Sequence, residues 1–136
     1  QITLTAYDDD LCRILEPNVC NTKRRIEVLE KMQAIEKAKA GMIGKDVDKI
    51  SRDIITINGY GDNFGHSLGH SLGLEIHEYP NCSPSFDRPI DKGVVMTVEP
   101  GIYLTGEFGV RIEDMVVVKQ NGCENITKSE KKLIVL

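Results

Sequence analysis

Residues 65–80 read GHSLGHSLGLEIHEYP and hold every histidine of the 136-residue chain: His66, His70 and His77. The four-residue spacing of His66 and His70 would place both on one face of a helix, as in helical zinc motifs. Gly65, Gly69 and Gly73 weigh against that, at roughly 1 kcal/mol per glycine in a helix interior. We therefore read a glycine-rich loop that enters a strand over residues 74–79, with Glu75, His77 and Tyr79 on one face and Ile76 and Glu78 on the other. Glycines let backbone come close to a ligand, and three imidazoles among them favour a site over histidines that only hydrogen-bond to a tight loop.

The pattern changes on either side of this window. Over residues 22–40, Ile26, Leu29, Met32 and Ile35 recur every three residues, with Val28, Ala34 and Ala38 widening the stripe, which predicts an amphipathic helix capped by Gly41. A second helix is predicted from about Asp46, with Val47, Ile50, Ile54 and Ile57 buried and Gly59 just past its end. Beyond the window come short β-rich runs at 94–98, 110–119 and 133–136, with a turn at Asn121-Gly122 and another at Pro100-Gly101. Residues 2–7 alternate weakly and predict a short strand before Asp8-Asp9-Asp10. The outline is an α+β fold, two helices packed on an antiparallel sheet in one domain over residues 1–136.

Composition narrows the functional classes. Hydrophobic residues make up 40% and charged residues 28%, as in globular rather than disordered chains. A formal net charge of -4, with only Lys23-Arg24-Arg25 and Lys131-Lys132 locally basic, excludes a general nucleic-acid binder. No apolar run nears the roughly 20 residues that span a bilayer, and no signal-peptide pattern opens the chain, so a cytoplasmic protein without a membrane partner is expected. Cys12, Cys20, Cys82 and Cys123 include no C-x-x-C pair and are expected to be free thiols. The chain opens on Gln1, and a fragment or a processed chain is expected.

Two carboxylates stand out in apolar surroundings: Glu99 in VVMTVEPGIY and Glu113 in FGVRIEDMVVV. A carboxylate there is costly unless paired, hydrogen-bonded or bound to metal. An ion pair with Arg111 would satisfy Glu113, and an exposed strand end would satisfy Glu99. One imidazole plus two carboxylates from separate segments is equally a sound ligand set for a divalent transition metal.

The succession HSLGHSLGLEIHEYP, VVMTVEPGIY and GVRIEDMVVV resembles the pita-bread metallopeptidases, specifically their aminopeptidase P and prolidase branch, over residues 22–136. The resemblance implies a pita-bread fold and hydrolysis of X-Pro peptide bonds at peptide N-termini or in dipeptides. It implies His70, Glu99 and Glu113 as metal ligands, Glu99 also as proton shuttle, and His66 and His77 as catalytic residues that bind the substrate. Arg111 would orient the carboxylates. The implied cofactor is a pair of divalent ions, manganese foremost, with cobalt, zinc or iron as alternatives, that activates water.

The family pattern also calls for two aspartates on a strand pair before the first long helix, and residues 1–21 present only a shortened version of that region. On this reading one metal position keeps three ligands and the other keeps Glu113 alone, so at most one well-liganded metal is expected in this chain. The chain would then be the C-terminal part of the catalytic domain, without the family's N-terminal domain, acting on a proline-containing peptide and self-associating as a homo-oligomer. The alternatives are a catalytically inactive relative that binds peptides or proteins, and a creatinase-like hydrolase that needs no metal.

Overall fold

The computed structural model describes residues 2–4, 37–106 and 108–129. Most of the predicted 22–40 helix, Cys12, Cys20 and the predicted 133–136 strand lie outside them. Lys37 is the last helical residue before Gly41, which turns the chain at φ 86°. The predicted helix boundary at Ala40 is therefore three residues too long, because Ala40 already donates its N–H to the Lys119 carbonyl of the sheet.

Helix α1 (Gly44–Ile57) begins two residues ahead of the predicted Asp46 and has no side-chain cap at Ile43. Asp46 in its first turn still complements the positive end of the helix dipole. Its buried residues are Gly44, Val47, Asp48, Ser51 and Ile55, while Ile50 and Ile54 pack at the margin of the core. Ile57 departs from its predicted place and is 84% exposed. It lies about 200° around the helix from Ile55, on the opposite side. Gly59 follows at φ 88° and ends the helix as expected.

Among the described residues, eight strands follow or precede this helix: β1 (Ile2–Leu4), β2 (Gly69–Ser71), β3 (Glu78–Cys82), β4 (Val95–Val98), β5 (Gly101–Leu104), β6 (Phe108–Ile112), β7 (Asp114–Lys119) and β8 (Gly122–Asn125). They form a five-stranded sheet in the order β3-β2-β4-β7-β8 and a three-stranded sheet in the order β1-β6-β5. Every named pairing is antiparallel. Strand β4 is central and has Met96, Thr97 and Val98 all buried, whereas β7 alternates, with Val116 and Val118 inward and Met115 and Lys119 outward. The β7–β8 hairpin closes through Lys119↔Gly122, so its two-residue turn is Gln120-Asn121, one position before the predicted dipeptide.

Two predicted strands were misplaced. The 74–79 strand moves to Glu78–Cys82, and residues 73–77 are a chain of bends in which Gly73 donates to the Glu75 carbonyl at 3.1 Å. The 110–119 run is two strands interrupted at Glu113. That interruption has a counterpart. The chain leaves the five-stranded sheet at Glu99-Pro100, makes the β5–β6 hairpin, and returns through Glu113. The two carboxylates singled out in the sequence thus occupy the two crossings between sheets, framed by the pairs Val98↔Asp114 and Gly101↔Arg111.

Candidate active site

Strands β2 and β3, the segments before and between them, Glu99 of the first crossing and Arg111 of β6 surround a cleft of about 640 Å3 lined by His66, Ser67, Gly69, His70, His77, Glu78, Tyr79, Asn81, Glu99 and Arg111. Local backbone positions each group. Gly69 lies so close to Thr97 of the neighbouring strand that any Cβ would collide with the Thr97 backbone carbonyl, so only glycine lets β2 seat against β4. That seating carries the next residue, His70, to the cleft wall.

His70 donates Nδ1–H to the Ser71 carbonyl at 3.1 Å, a hydrogen bond that leaves Nε2 pointing at Glu99 Oε1, 3.1 Å away. A ring nitrogen lone pair and a carboxylate oxygen share that space comfortably only with a proton or a metal cation between them. Thr97 holds both ends of this arrangement: its Oγ1 accepts the His70 N–H at 3.0 Å and donates to Glu99 Oε1 at 2.9 Å. The backbone of Glu99 is fixed by its N–H to the Leu68 carbonyl at 2.8 Å.

Arg111 bridges the two crossings, 3.8 Å from Glu99 Oε2 and 3.6 Å from Glu113 Oε2. The ion pair with Arg111, one of the two readings of Glu113, is thus present. His70 and Glu99 suit a divalent cation in donor type and orientation. Glu113 lies on the far side of the guanidinium, and among the described residues no three His, Cys, Asp or Glu side chains form a ready metal cage.

His77 is exposed and its ring lies 4.3 Å from that of His70. It reaches the cleft from the bend, not from a strand face. His66 also lines the cleft. Its Nδ1–H goes to the Ser67 carbonyl at 2.8 Å, so Nε2 is the acceptor for the Tyr103 hydroxyl at 3.1 Å. The site therefore brings together His66, His70, His77, Glu99 and Arg111, with Glu113 reached through Arg111.

Thr97 and Tyr103 escaped the sequence reading. The signal for Thr97 was a polar residue two positions before Glu99 in an apolar strand, which alternation puts on the same face. Behind the site, Gly69 pairs with Cys82, whose buried thiol is pushed from 9.0 up to about 12, first by loss of solvent, then by the charge of Asp48 and by Cys123. Burial also raises the Cys123 thiol. Cys82 and Cys123 are both free, as expected.

Residues 7–120 match the model of metallopeptidase family M24. The Xaa-Pro dipeptidase of Pyrococcus furiosus is 44% identical over 133 residues, which cover 94% of this chain and 38% of that protein. Among solved structures, the Xaa-Pro dipeptidase of Bacillus anthracis superposes with a TM-score of 0.80 at 46% identity, covering 84% of this chain and 33% of that one. The X-Pro aminopeptidase of Thermotoga maritima does so with a TM-score of 0.80 at 47% identity, again covering 84% and 33%. The chain thus spans little more than a third of the curated relative's length, and the α+β pita-bread architecture expected from its motifs holds. No helix among the described residues is long and apolar enough to cross a membrane. Matched by the family model over residues 7–120, and alike in sequence and fold to these relatives, the chain belongs to metallopeptidase family M24.

Proposed function

We propose that the protein hydrolyses X-Pro peptide bonds, at peptide N-termini or in dipeptides, with a divalent metal, and that residues 1–136 are the C-terminal part of a pita-bread catalytic domain. The observation that carries this is the approach of His70 Nε2 and Glu99 Oε1 to 3.1 Å at the cleft wall, with the other His70 nitrogen committed to backbone. His70, Glu99 and Glu113 would hold the metal. A divalent cation there would supply Lewis acidity, activating water and polarising the scissile carbonyl.

The chain's own groups have separate tasks. Glu99, with Oε1 toward His70 and Thr97 and Oε2 toward Arg111, would carry a proton from water to the departing proline nitrogen. Arg111, 3.8 Å from Oε2, would keep that carboxylate aimed. His66 and His77, which both line the cleft, would bind the peptide and steady the tetrahedral intermediate. Manganese is the proposed metal, with cobalt, zinc or iron as alternatives, because a carboxylate-rich set with one imidazole suits hard to borderline cations. The free thiols Cys82 and Cys123 favour a reducing, cytoplasmic setting.

The salt bridge from Arg111 to Glu113 favours a second reading, a peptide-binding relative without turnover, because it engages a carboxylate that the metal would need. Metal content measured beside an X-Pro dipeptide assay with added manganese separates the two. The first reading predicts bound metal and turnover that falls at least about a thousandfold in Glu99→Gln. Peptide binding without metal or turnover would establish the second.

A further inference from the structure

Helix α1 buries a charge that the proposed chemistry does not use. Asp48 is 1% exposed, and Arg52, one turn along, meets it with two hydrogen bonds: Nε to Oδ2 at 2.7 Å and Nη2 to Oδ1 at 3.0 Å. A buried pair of this kind is expensive to desolvate and gives little net stability over an apolar replacement. Its other hydrogen bonds show where it acts.

They converge on a single short segment. Arg52 Nη1 donates to the Phe64 carbonyl at 2.9 Å, Arg52 Nη2 to the His66 carbonyl at 2.8 Å, and Asp48 Oδ1 accepts the Leu68 N–H at 3.0 Å. The guanidinium also lies 4.4 Å from the centre of the Phe64 ring, whose edge contacts the His66 imidazole with centroids 5.0 Å apart. Alternate residues of the 64–68 backbone are thus clamped to one helix face. The peptide that Arg52 grips through the His66 carbonyl leads directly into Ser67, the residue whose carbonyl takes the His66 Nδ1–H. Leu68 passes the constraint on, since its carbonyl receives the Glu99 N–H.

We propose that Asp48 and Arg52 are positioning residues of the site: by clamping the backbone of residues 64–68 they fix the aim and tautomer of His66, with Nδ1 protonated and Nε2 presented to the cleft. The proposal rests on the peptidase reading only for what His66 then does to a peptide. Lysine cannot replace Arg52 here, because a single ammonium lacks the planar fork that spans Asp48 and two carbonyls together.

The test is 15N NMR of the histidine rings and amide exchange in the full chain, for the wild type, Arg52→Lys and Asp48→Asn. In Arg52→Lys the His66 ring nitrogens should move from a single-tautomer pattern toward an averaged one, and the Leu68 amide should exchange about tenfold faster. The ring signals of His70 should stay unchanged. Asp48→Asn, nearly isosteric and still able to accept from Leu68, should shift His66 less while accelerating exchange at Leu68 less. Unchanged His66 signals in a folded Arg52→Lys protein would overturn the proposal. So would a uniform loss of protection with all three histidines moving together, which marks the pair as general core stability. These readouts need no turnover, so a wild type that neither binds nor cleaves an X-Pro peptide would defeat the peptidase reading and leave the clamp standing.

Discussion

The histidine window is built as two unlike halves that meet at Leu72. In residues 65–71 the chain is held on three sides: by α1 through Asp48 and Arg52, by β3 through Gly69↔Cys82, and by β4 through Ser71↔Met96. In residues 72–77 Leu74 is fully exposed and Ile76 73% exposed. The front half has His66 and His70 with one ring nitrogen each committed to a carbonyl, whereas the rear half brings His77 to the cleft by ring contact with His70. The lesson is that precision in this site comes from backbone partners: both halves carry glycine, leucine and histidine, and they differ in what holds the chain. The front suits a task that tolerates no misplacement, and the rear suits a group that follows a ligand.

The sharpest way to break this contrast is a methyl group. Gly69→Ala would drive a Cβ into the Thr97 backbone carbonyl, and we expect a loss of about 3 kcal/mol or more in urea unfolding, or no folded protein. Gly73→Ala, whose Cβ meets only the movable carboxylate end of Glu78, should cost under about 1 kcal/mol. Equal costs would erase the distinction between the halves.

A pH titration probes what lies behind the front half. The folded state keeps the Cys82 thiol protonated up to about 12, while an unfolded thiol ionises from 9.0 upward. Between those values the unfolded state binds fewer protons, so stability is whole below pH 9 and declines as pH rises toward 12, by at most about 1.4 kcal/mol per unit. Urea midpoints at pH 8 and pH 10.5 should show the decline, and Cys82→Ala should flatten it. The slope staying the same in that variant would remove Cys82 as its cause.

Thr97→Val tests the link from His70 to Glu99. It deletes a hydroxyl whose two hydrogen bonds join them, for about 1–2 kcal/mol of stability and a larger proportional fall in metal affinity. Metal titration by calorimetry beside thermal melting would separate these effects, and undiminished affinity would show that Thr97 is only packing. The smallest effect belongs to the rear half: Leu74→Ser, at a fully exposed position, should stay within about 0.5 kcal/mol of wild type in the same melts.

Much of the site was legible in the sequence because its residues break local rules. Glycines interrupt a histidine spacing that would suit a helix, and two carboxylates interrupt apolar runs. Helix α1 and strands β4 and β7 were legible for the ordinary reason that their apolar patterns match their burial, whereas β8, with its polar residues, was not expected. The rest depended on partners that no local window contains. Leu74 and Ile76 alternate as a strand would, yet a strand exists only where a neighbour supplies its ladder, and the pairing with β2 starts at Glu78. By spacing alone, Asp48 and Arg52 are one i, i+4 pair on a helix like many others. Only the return of the chain to within hydrogen-bond reach, 12 to 20 residues later, gives them a different meaning.

The placement of Glu99 and Glu113 at the two sheet crossings makes the ladder a ruler for the site. Their separation is not set by side-chain packing but counted out by the pairs on either side, Val98↔Asp114 and Gly101↔Arg111. A slip of one residue in that ladder would turn both flanking strands over and carry the carboxylates out of register with His70. Length can change at the hairpin tip near Gly106, which turns at φ 82° away from both crossings, without altering the count. The spacing of the acidic groups is therefore inherited from strand pairing, and is as hard to drift as the sheet itself.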